Sequence, residues 1–162
     1  NRLNMIHEGT HGIQALDLLG RKVLLEGGKG LKLLSARIDA TRGRAVVSAI
    51  TERARQAEAL EQAWSEVLRA TEAAWATGLP AEALANAVPY MQAFGHTVLA
   101  WIWLDVALAS DAAVATKSGA AHAGFSGATA YFYAYELPKI VAWLKVVESR
   151  DQTCAKFPEE AF

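Results

Sequence analysis

The 162-residue sequence has one cysteine, four prolines and no excess of either sign of charge. Cys154 cannot close an internal disulfide, and no CxxC or Cys/His cluster offers a structural zinc site. A disulfide-stapled secreted scaffold is therefore excluded, and a reducing, cytoplasmic setting is expected. Sixteen Lys and Arg against seventeen Asp and Glu leave a net charge of -1, so no bulk attraction to nucleic acid or an acidic membrane surface is available, and neither is expected as a partner. The longest uncharged apolar stretch, Thr97 to Leu104, is closed by Asp105 and falls short of the ~18 residues that a membrane span requires. Repeats of fixed period, low-complexity tracts and runs of like charge are also missing. The sequence opens on Asn1 rather than methionine, and its first ten residues resemble neither a signal peptide nor a tag, so a piece of something longer is expected.

What is present favours helix nearly everywhere: 52% of residues are hydrophobic, 33 are alanine, and three of the four prolines sit at segment edges. Thr10 can cap a first helix carrying Ile13, Leu16, Leu19/Gly20 and Val23, ending at Gly27-Gly28. A second helix is predicted over about Leu31 to Thr41, stopped by Gly43. The longest runs from about Ala45 to Ala76, with Val47, Ile50, Ala54, Ala57, Leu60, Trp64, Val67/Leu68, Thr71 and Trp75 on one stripe. Glu52, Arg53, Arg55, Glu58, Glu61, Glu66 and Arg69 are placed on a solvated back. Pro80 opens a short helix, and Pro89 separates it from one over about Tyr90 to Ala115, apolar on most sides and expected at the buried centre. Gly119 is read as a break. A last helix over about Ser126 to Ser149 should kink at Pro138, and 150–162 reads as tail. The fold class expected is all-α, an antiparallel helical bundle preceded by a two-helix arm. Charge divides the same way: residues 1–45 hold eight cations against Glu8, Asp17, Glu26 and Asp39, net +4, leaving -5 for the remainder.

His7-Glu8-Gly9-Thr10-His11 matches HExxH, in which two histidines on one helix face bind zinc and the glutamate activates the bound water. That reading needs helix through Gly9 and Thr10, where glycine costs about 1 kcal/mol relative to alanine and threonine prefers to cap. It also needs a third ligand. The extended motif would put glycine and histidine where Gln14 and Asp17 stand, so zinc peptidase remains a remote alternative and no metal is expected.

Ile6-His7-Glu8-Gly9-Thr10-His11-Gly12-Ile13-Gln14-Ala15-Leu16-Asp17-Leu18-Leu19-Gly20-Arg21-Lys22 resembles the C-terminal signature of the acyl-CoA dehydrogenases, IYEGT followed by a helix with IQ. Ala85-Asn86-Ala87-Val88-Pro89-Tyr90, Phe94-Gly95 and Phe132-Tyr133-Ala134-Tyr135-Glu136-Leu137-Pro138 resemble the extra C-terminal helical region of a bacterial subgroup, the acetyl-CoA dehydrogenase C-terminal-like region. The resemblance implies that Glu8 is the catalytic base removing the α-proton of an acyl-CoA thioester while the β-hydrogen leaves as hydride to FAD. A carboxylate desolvated against acyl chain and flavin becomes a stronger base. It further implies that the backbone N–H of Glu8 and a flavin hydroxyl hold the thioester oxygen, and that Gly9, lacking Cβ, lets substrate approach. Thr10, His11 and Gly12 match the stretch that contacts FAD, with the helix start suited to pyrophosphate. His7 replaces the usual tyrosine and His11 a smaller polar residue.

The resemblance divides the chain at 1–44, the end of the central bundle and a linker helix, and 45–162, the appended bundle. Some 400 preceding residues would supply the flavin ring site, so this piece alone is expected neither to hold FAD nor to turn over acyl-CoA. Electron-transfer flavoprotein is the implied electron acceptor. The second class of reading makes the bundle a non-catalytic interaction module, with homo-oligomer packing favoured over membrane attachment. His96 and His122 are read as hydrogen-bonded structural histidines, the five tryptophans as packing residues, and most arm cations as a solvated face.

Overall fold

The computed structural model describes residues 10–113, 119–158 and 160. Among these the fold is all-α, as expected. In chain order the helices are α1 (His11–Asp17), continued by a wide π-type turn (Leu18–Lys22), α2 (Leu25–Val46), α3 (Thr51–Ala74), α4 (Pro80–Leu84), α5 (Ala87–Ala113), α6 (Gly119–Tyr131) and α7 (Ile140–Ser149). A second π-type turn, Phe132–Glu136, and a 3-10 turn, Leu137–Lys139, join α6 to α7.

Each break has a local cause. Apolar residues spaced strictly by four, Ala15, Leu19 and Val23, drift around a regular helix. The wide turn, closed by Val23 N–H donating to the Leu18 carbonyl at 3.1 Å, keeps them on one buried face. The chain then reverses through three left-handed residues, Glu26 (φ 50°), Gly27 (φ 65°) and Gly28 (φ 79°), so the break at the glycine pair is real and begins one residue earlier. Pro138 lacks an N–H and would clash with a carbonyl one turn back in a regular helix, and the widened turn before it relieves that conflict.

Several boundaries differ from expectation. Gly43 does not stop α2, which runs to Val46 because Ile38, Thr41 and Ala45 are buried against its neighbours. The next helix starts at Thr51, not Ala45. Ser48 Oγ accepts from Ile50 N–H at 3.2 Å, turning the chain, so Val47 and Ile50 are exposed instead of continuing the stripe. Gly119 is the first described residue of α6, and Pro89 falls in the first turn of α5, where a missing N–H costs nothing.

The helices run up-down-up-down: α2, α3, α5, then α6 and α7 as one kinked member. α2, the second helix of the expected arm, lies along α3 and α5 as a wall of this bundle. Trp64 Nε1 donates to Ser35 Oγ at 2.9 Å, Trp101 Nε1 to Thr41 Oγ1 at 2.9 Å, and Arg44 pairs with Asp105. Trp64 also meets Phe94 edge-on at 5.7 Å. These tryptophans thus pack between helices as expected, and their indole N–H groups are hydrogen-bonded as well.

α5 packs against α1, α2, α3, α6 and α7, burying Tyr90, Ala93, Thr97, Ala100 and Leu104. By length and mean hydropathy of 1.3 it is nonetheless long and apolar enough to cross a membrane, contrary to the expectation from its shorter uncharged core. Its burial is one-sided: Leu99 and Ile102 are 45% and 43% exposed, so the central helix is not enclosed.

Arg53, expected on the solvated back of α3, is 2% exposed. Its Nε and Nη2 donate to Asp111 of α5 at 2.8 and 3.0 Å, Nη2 also to Ser126 of α6 at 2.9 Å, and Nη1 to Gln56 Oε1 at 3.1 Å. Position 53 falls on the flank of α3 that faces both α5 and α6, so a charge there is covered and must be paired. Arg53→Met is expected to destabilise the fold by about 3 kcal/mol, because it strands the Asp111 carboxylate; equilibrium urea unfolding measures this, and the Arg53→Met, Asp111→Leu pair should recover much of the loss.

Across the other end of the same interface, Tyr90 is fully buried with its hydroxyl 2.7 Å from Thr71 Oγ1, which donates onward to the Val67 carbonyl. Burial pushes the phenol up to about 12, only partly offset by the Thr71 contact. The folded value lies above the ordinary 10, so this contribution to stability is complete below pH 10 and is lost as pH rises toward 12, on the order of 3 kcal/mol. Tyr90→Phe should flatten the pH dependence of urea midpoints between pH 10 and 12.

Candidate functional site

The candidate site lies at the start of α1. Glu8 and Gly9, and with them the base and the HExxH reading, fall outside the described residues. Of the remaining candidates, Thr10 stands at the N-cap of α1, where its carbonyl accepts from Gln14 N–H at 2.9 Å. Its side chain makes no capping hydrogen bond, contrary to the expected role, because the residue has already turned helical (φ -84°, ψ -7°). His11 is exposed. Gly12 is half-buried, and a Cβ there would meet no atom within 4 Å.

The first turn of α1 carries no acidic side chain, and its leading backbone N–H groups face outward without partners inside the helix. Positive helix-end potential and an open glycine face suit an anionic group such as a pyrophosphate. Among the described residues no cluster of three or more His, Cys, Asp or Glu could hold a metal ion.

What the tertiary structure adds is the seat of α1. Ala15 and Leu19 are fully buried and Val23 is 3% exposed, against α5 and the end of α3. Trp75 Nε1 donates to the Leu19 carbonyl at 3.2 Å, and a Cβ on Gly20 would press on Leu84 of α4 at 3.3 Å. Opening the helix into its wide turn frees that carbonyl for Trp75. The opposite face is also apolar yet bare, with Ile13 66% and Leu16 46% exposed. The outward face of α1 is thus apolar and left uncovered by the described residues.

Asp17 closes the outer side, held below the usual carboxylate range by hydrogen bonds from Arg21 at 2.6 Å and Lys22 at 3.2 Å. These two arm cations are therefore engaged with their own helix. The two expected structural histidines behave as such. His96 Nδ1 lies 3.0 Å from the Gln92 carbonyl with Trp143 edge-on at 4.8 Å, and His122 Nδ1 lies 3.3 Å from Ser110 Oγ. A groove of about 170 Å³ between α3 and α7 is lined by Ala59, Ala63, Tyr133, Leu137 and Ile140 and by no residue of α1, so it forms no part of this site. The Arg53–Asp111–Ser126 network and the Leu19–Trp75 contact were not foreseen. The available signal was an arginine three residues from Gln56 on one flank of α3.

Residues 34–158 match the family described as acetyl-CoA dehydrogenase C-terminal like. The 3-methylmercaptopropionyl-CoA dehydrogenase of Ruegeria pomeroyi is 35% identical over 141 residues, covering 84% of this chain and 23% of that enzyme. The chain thus spans under a quarter of the length of the curated relative it matches. With an all-α bundle matched over most of its length, the chain belongs to the acetyl-CoA dehydrogenase C-terminal-like family.

Proposed function

We propose that this chain is the C-terminal part of a flavin-dependent acyl-CoA dehydrogenase, with Glu8 the base for α,β-dehydrogenation of an acyl-CoA thioester. The observation that carries the reading is the joining of two features in one chain: the dehydrogenase signature around Glu8, and, from residue 34 onward, a domain of the matched family. On this reading 1–44 are the end of the central bundle and its linker, and 45–162 the appended bundle, with α2 the linker laid along α3. The bare face of α1 at Ile13 and Leu16 is where the catalytic body would lie.

In this arrangement Glu8 takes the α-proton, and its backbone N–H, with Gly9 leaving room beside it, holds the thioester oxygen as charge develops there. Bound FAD would supply the acceptor for the β-hydrogen, which leaves the substrate as hydride. Thr10, His11 and Gly12 would hold FAD through the α1 N-terminus, whose lack of acidic side chains and open glycine fit a pyrophosphate. The seat of α1 on Trp75, Leu84 and α5 then fixes where the Glu8 segment leaves the bundle. Electron-transfer flavoprotein is the proposed acceptor and homo-oligomer packing the proposed work of the appended bundle. The name of the Ruegeria pomeroyi relative makes 3-methylmercaptopropionyl-CoA the first thioester to assay.

In the full-length protein, Glu8→Gln should retain flavin absorbance while flavin reduction by acyl-CoA slows by about 10³-fold; unchanged reduction removes Glu8 from the base role. The 162-residue chain alone should be colourless after incubation with FAD, and a yellow, substrate-reducible preparation overturns that part of the proposal. Leu19→Ala should destabilise the seat of α1 by about 3 kcal/mol, seen as faster amide exchange confined to residues 10–25.

A further inference from the structure

Two different faces of α1 could be laid on the bundle. In a regular helix, at about 100° per residue, Ile13, Leu16, Gly20 and Val23 fall within about 80° of one another and form the stripe legible along the chain. The structure buries another set: Ala15 and Leu19 are fully covered, while Ile13 and Leu16 stay exposed. The wide turn at Leu18–Lys22 makes the difference. Taking one extra residue into a turn rotates everything before it by one residue's share, about 100°, relative to Val23. Apolar burial alone favours the regular phase, which would cover Leu16 where the observed phase covers Ala15.

What holds the observed phase is a hydrogen bond that the regular one cannot make. In a regular helix the Leu19 carbonyl accepts from the Val23 N–H. Here Val23 N–H donates to the Leu18 carbonyl at 3.1 Å, and the Leu19 carbonyl accepts from Trp75 Nε1 at 3.2 Å. Return to the regular phase would fill that carbonyl from within α1 and leave a half-buried indole N–H without its acceptor. Trp75 is itself fixed from outside α1. It caps the C-terminus of α3, where its backbone N–H donates to the Thr71 carbonyl at 3.4 Å and its own carbonyl accepts from Gly78 N–H at 2.9 Å. Leu84 approaches the same turn so closely that a Cβ on Gly20 would meet its Cδ2 at 3.3 Å, so a glycine lets the turn settle there.

We infer that Trp75 is a positioning residue: through the Leu19 carbonyl it selects the rotational phase of α1, and with it the direction in which Thr10, His11 and Gly12 are presented. The consequence for chemistry rests on the dehydrogenase reading proposed above. Thr10 stands about 13 Å along the helix axis from Leu19, and a rotation of about 100° carries a Cα on the ~2.3 Å helix radius through about 3.5 Å. A misplacement of about 1 Å is enough to slow a reaction some 10²-fold. Trp75 therefore governs the reaction through the orientation of α1, without belonging to the segment that carries the signature.

The first arm of the test uses the 162-residue chain, which has its own buried core, with Cys154→Ser and either Ala15→Cys or Leu16→Cys read by maleimide labelling. With Trp75 intact the thiol at position 16 reacts freely and the one at position 15 is shielded. Trp75→Phe, which keeps a ring but has no N–H, should slow labelling at 16 and speed it at 15, each by roughly 10-fold or more. Removing Arg21, an exposed residue of the wide turn, yields a regular helix in the observed phase, so Trp75→Phe with Arg21 removed should return both thiols to their original rates. A tryptophan that merely holds α1 down would, when lost, open both thiols, and the deletion would not rescue them. That outcome overturns the inference, as does an unchanged labelling pattern. If Trp75→Phe alone unfolds, the rescue still decides: the chain carrying both changes must fold with the original pattern, and its failure to do so overturns the inference. The second arm uses the full-length apoprotein, in which Trp75→Phe should raise the FAD dissociation constant by about 10-fold or more and the deletion should restore it. Rotation of α1 with unchanged FAD affinity overturns the positioning role. A full-length protein with Trp75 intact that takes up no flavin marks failure of the dehydrogenase reading instead, and the thiol rates then still decide whether Trp75 sets the phase.

Discussion

Water is a poor solvent for a helix with no charge over its first five turns, and α5 is such a helix from Ala87 to Leu104. The rest of the fold is arranged to cover it. α3 takes one side, α2 and α1 another, and the kinked α6–α7 member a third, leaving a single outward stripe. Alanine is what makes the wrapping possible. Ala93, Ala100 and Ala107 on α5 and Ala57, Ala63, Ala70 and Ala74 on α3 are all buried, so helix axes approach closely and many small contacts replace a few large ones.

A core of alanines packs tightly but says little about which helix sits at which height, since one small residue fits much like the next. Polar contacts supply that information at both ends of the α3–α5 pair. Arg53 with Asp111 and Ser126 closes one end, and Tyr90 with Thr71 the other. Sliding α5 by one turn would strand a buried guanidinium and a buried phenol together, at a cost larger than any gain from repacking methyl groups. Trp101 on Thr41 and Trp64 on Ser35 do the same for α2.

The seat of α1 follows from this register. Trp75 and Leu84, at the turn between α3 and α5, are positioned by it, and they receive the Leu19 carbonyl and the bare backbone of Gly20. The α1 segment is thereby held on the bundle by buried contacts. Its outer side remains apolar, which gives the bundle a physical means of bracing whatever α1 packs against.

The helical content, the breaks at Gly27-Gly28 and Pro138 and the family signature were legible along the chain, because alanine content, proline geometry and short motifs are local properties. The end of α2 was not, since Gly43 is tolerated in a helix held by Ile38, Thr41 and Ala45. Nor was the burial of Arg53, whose neighbours Glu52 and Arg55 are solvated. A periodic pattern assigns faces to one helix at a time, but whether a face is wet depends on how many helices surround it. So the sequence by itself determined that the chain is helical and where its resemblance to the acyl-CoA dehydrogenases lies. Only the tertiary structure decided which charge is covered, where α1 is seated and which apolar stripe of α5 stays bare, because each depends on contacts between different helices.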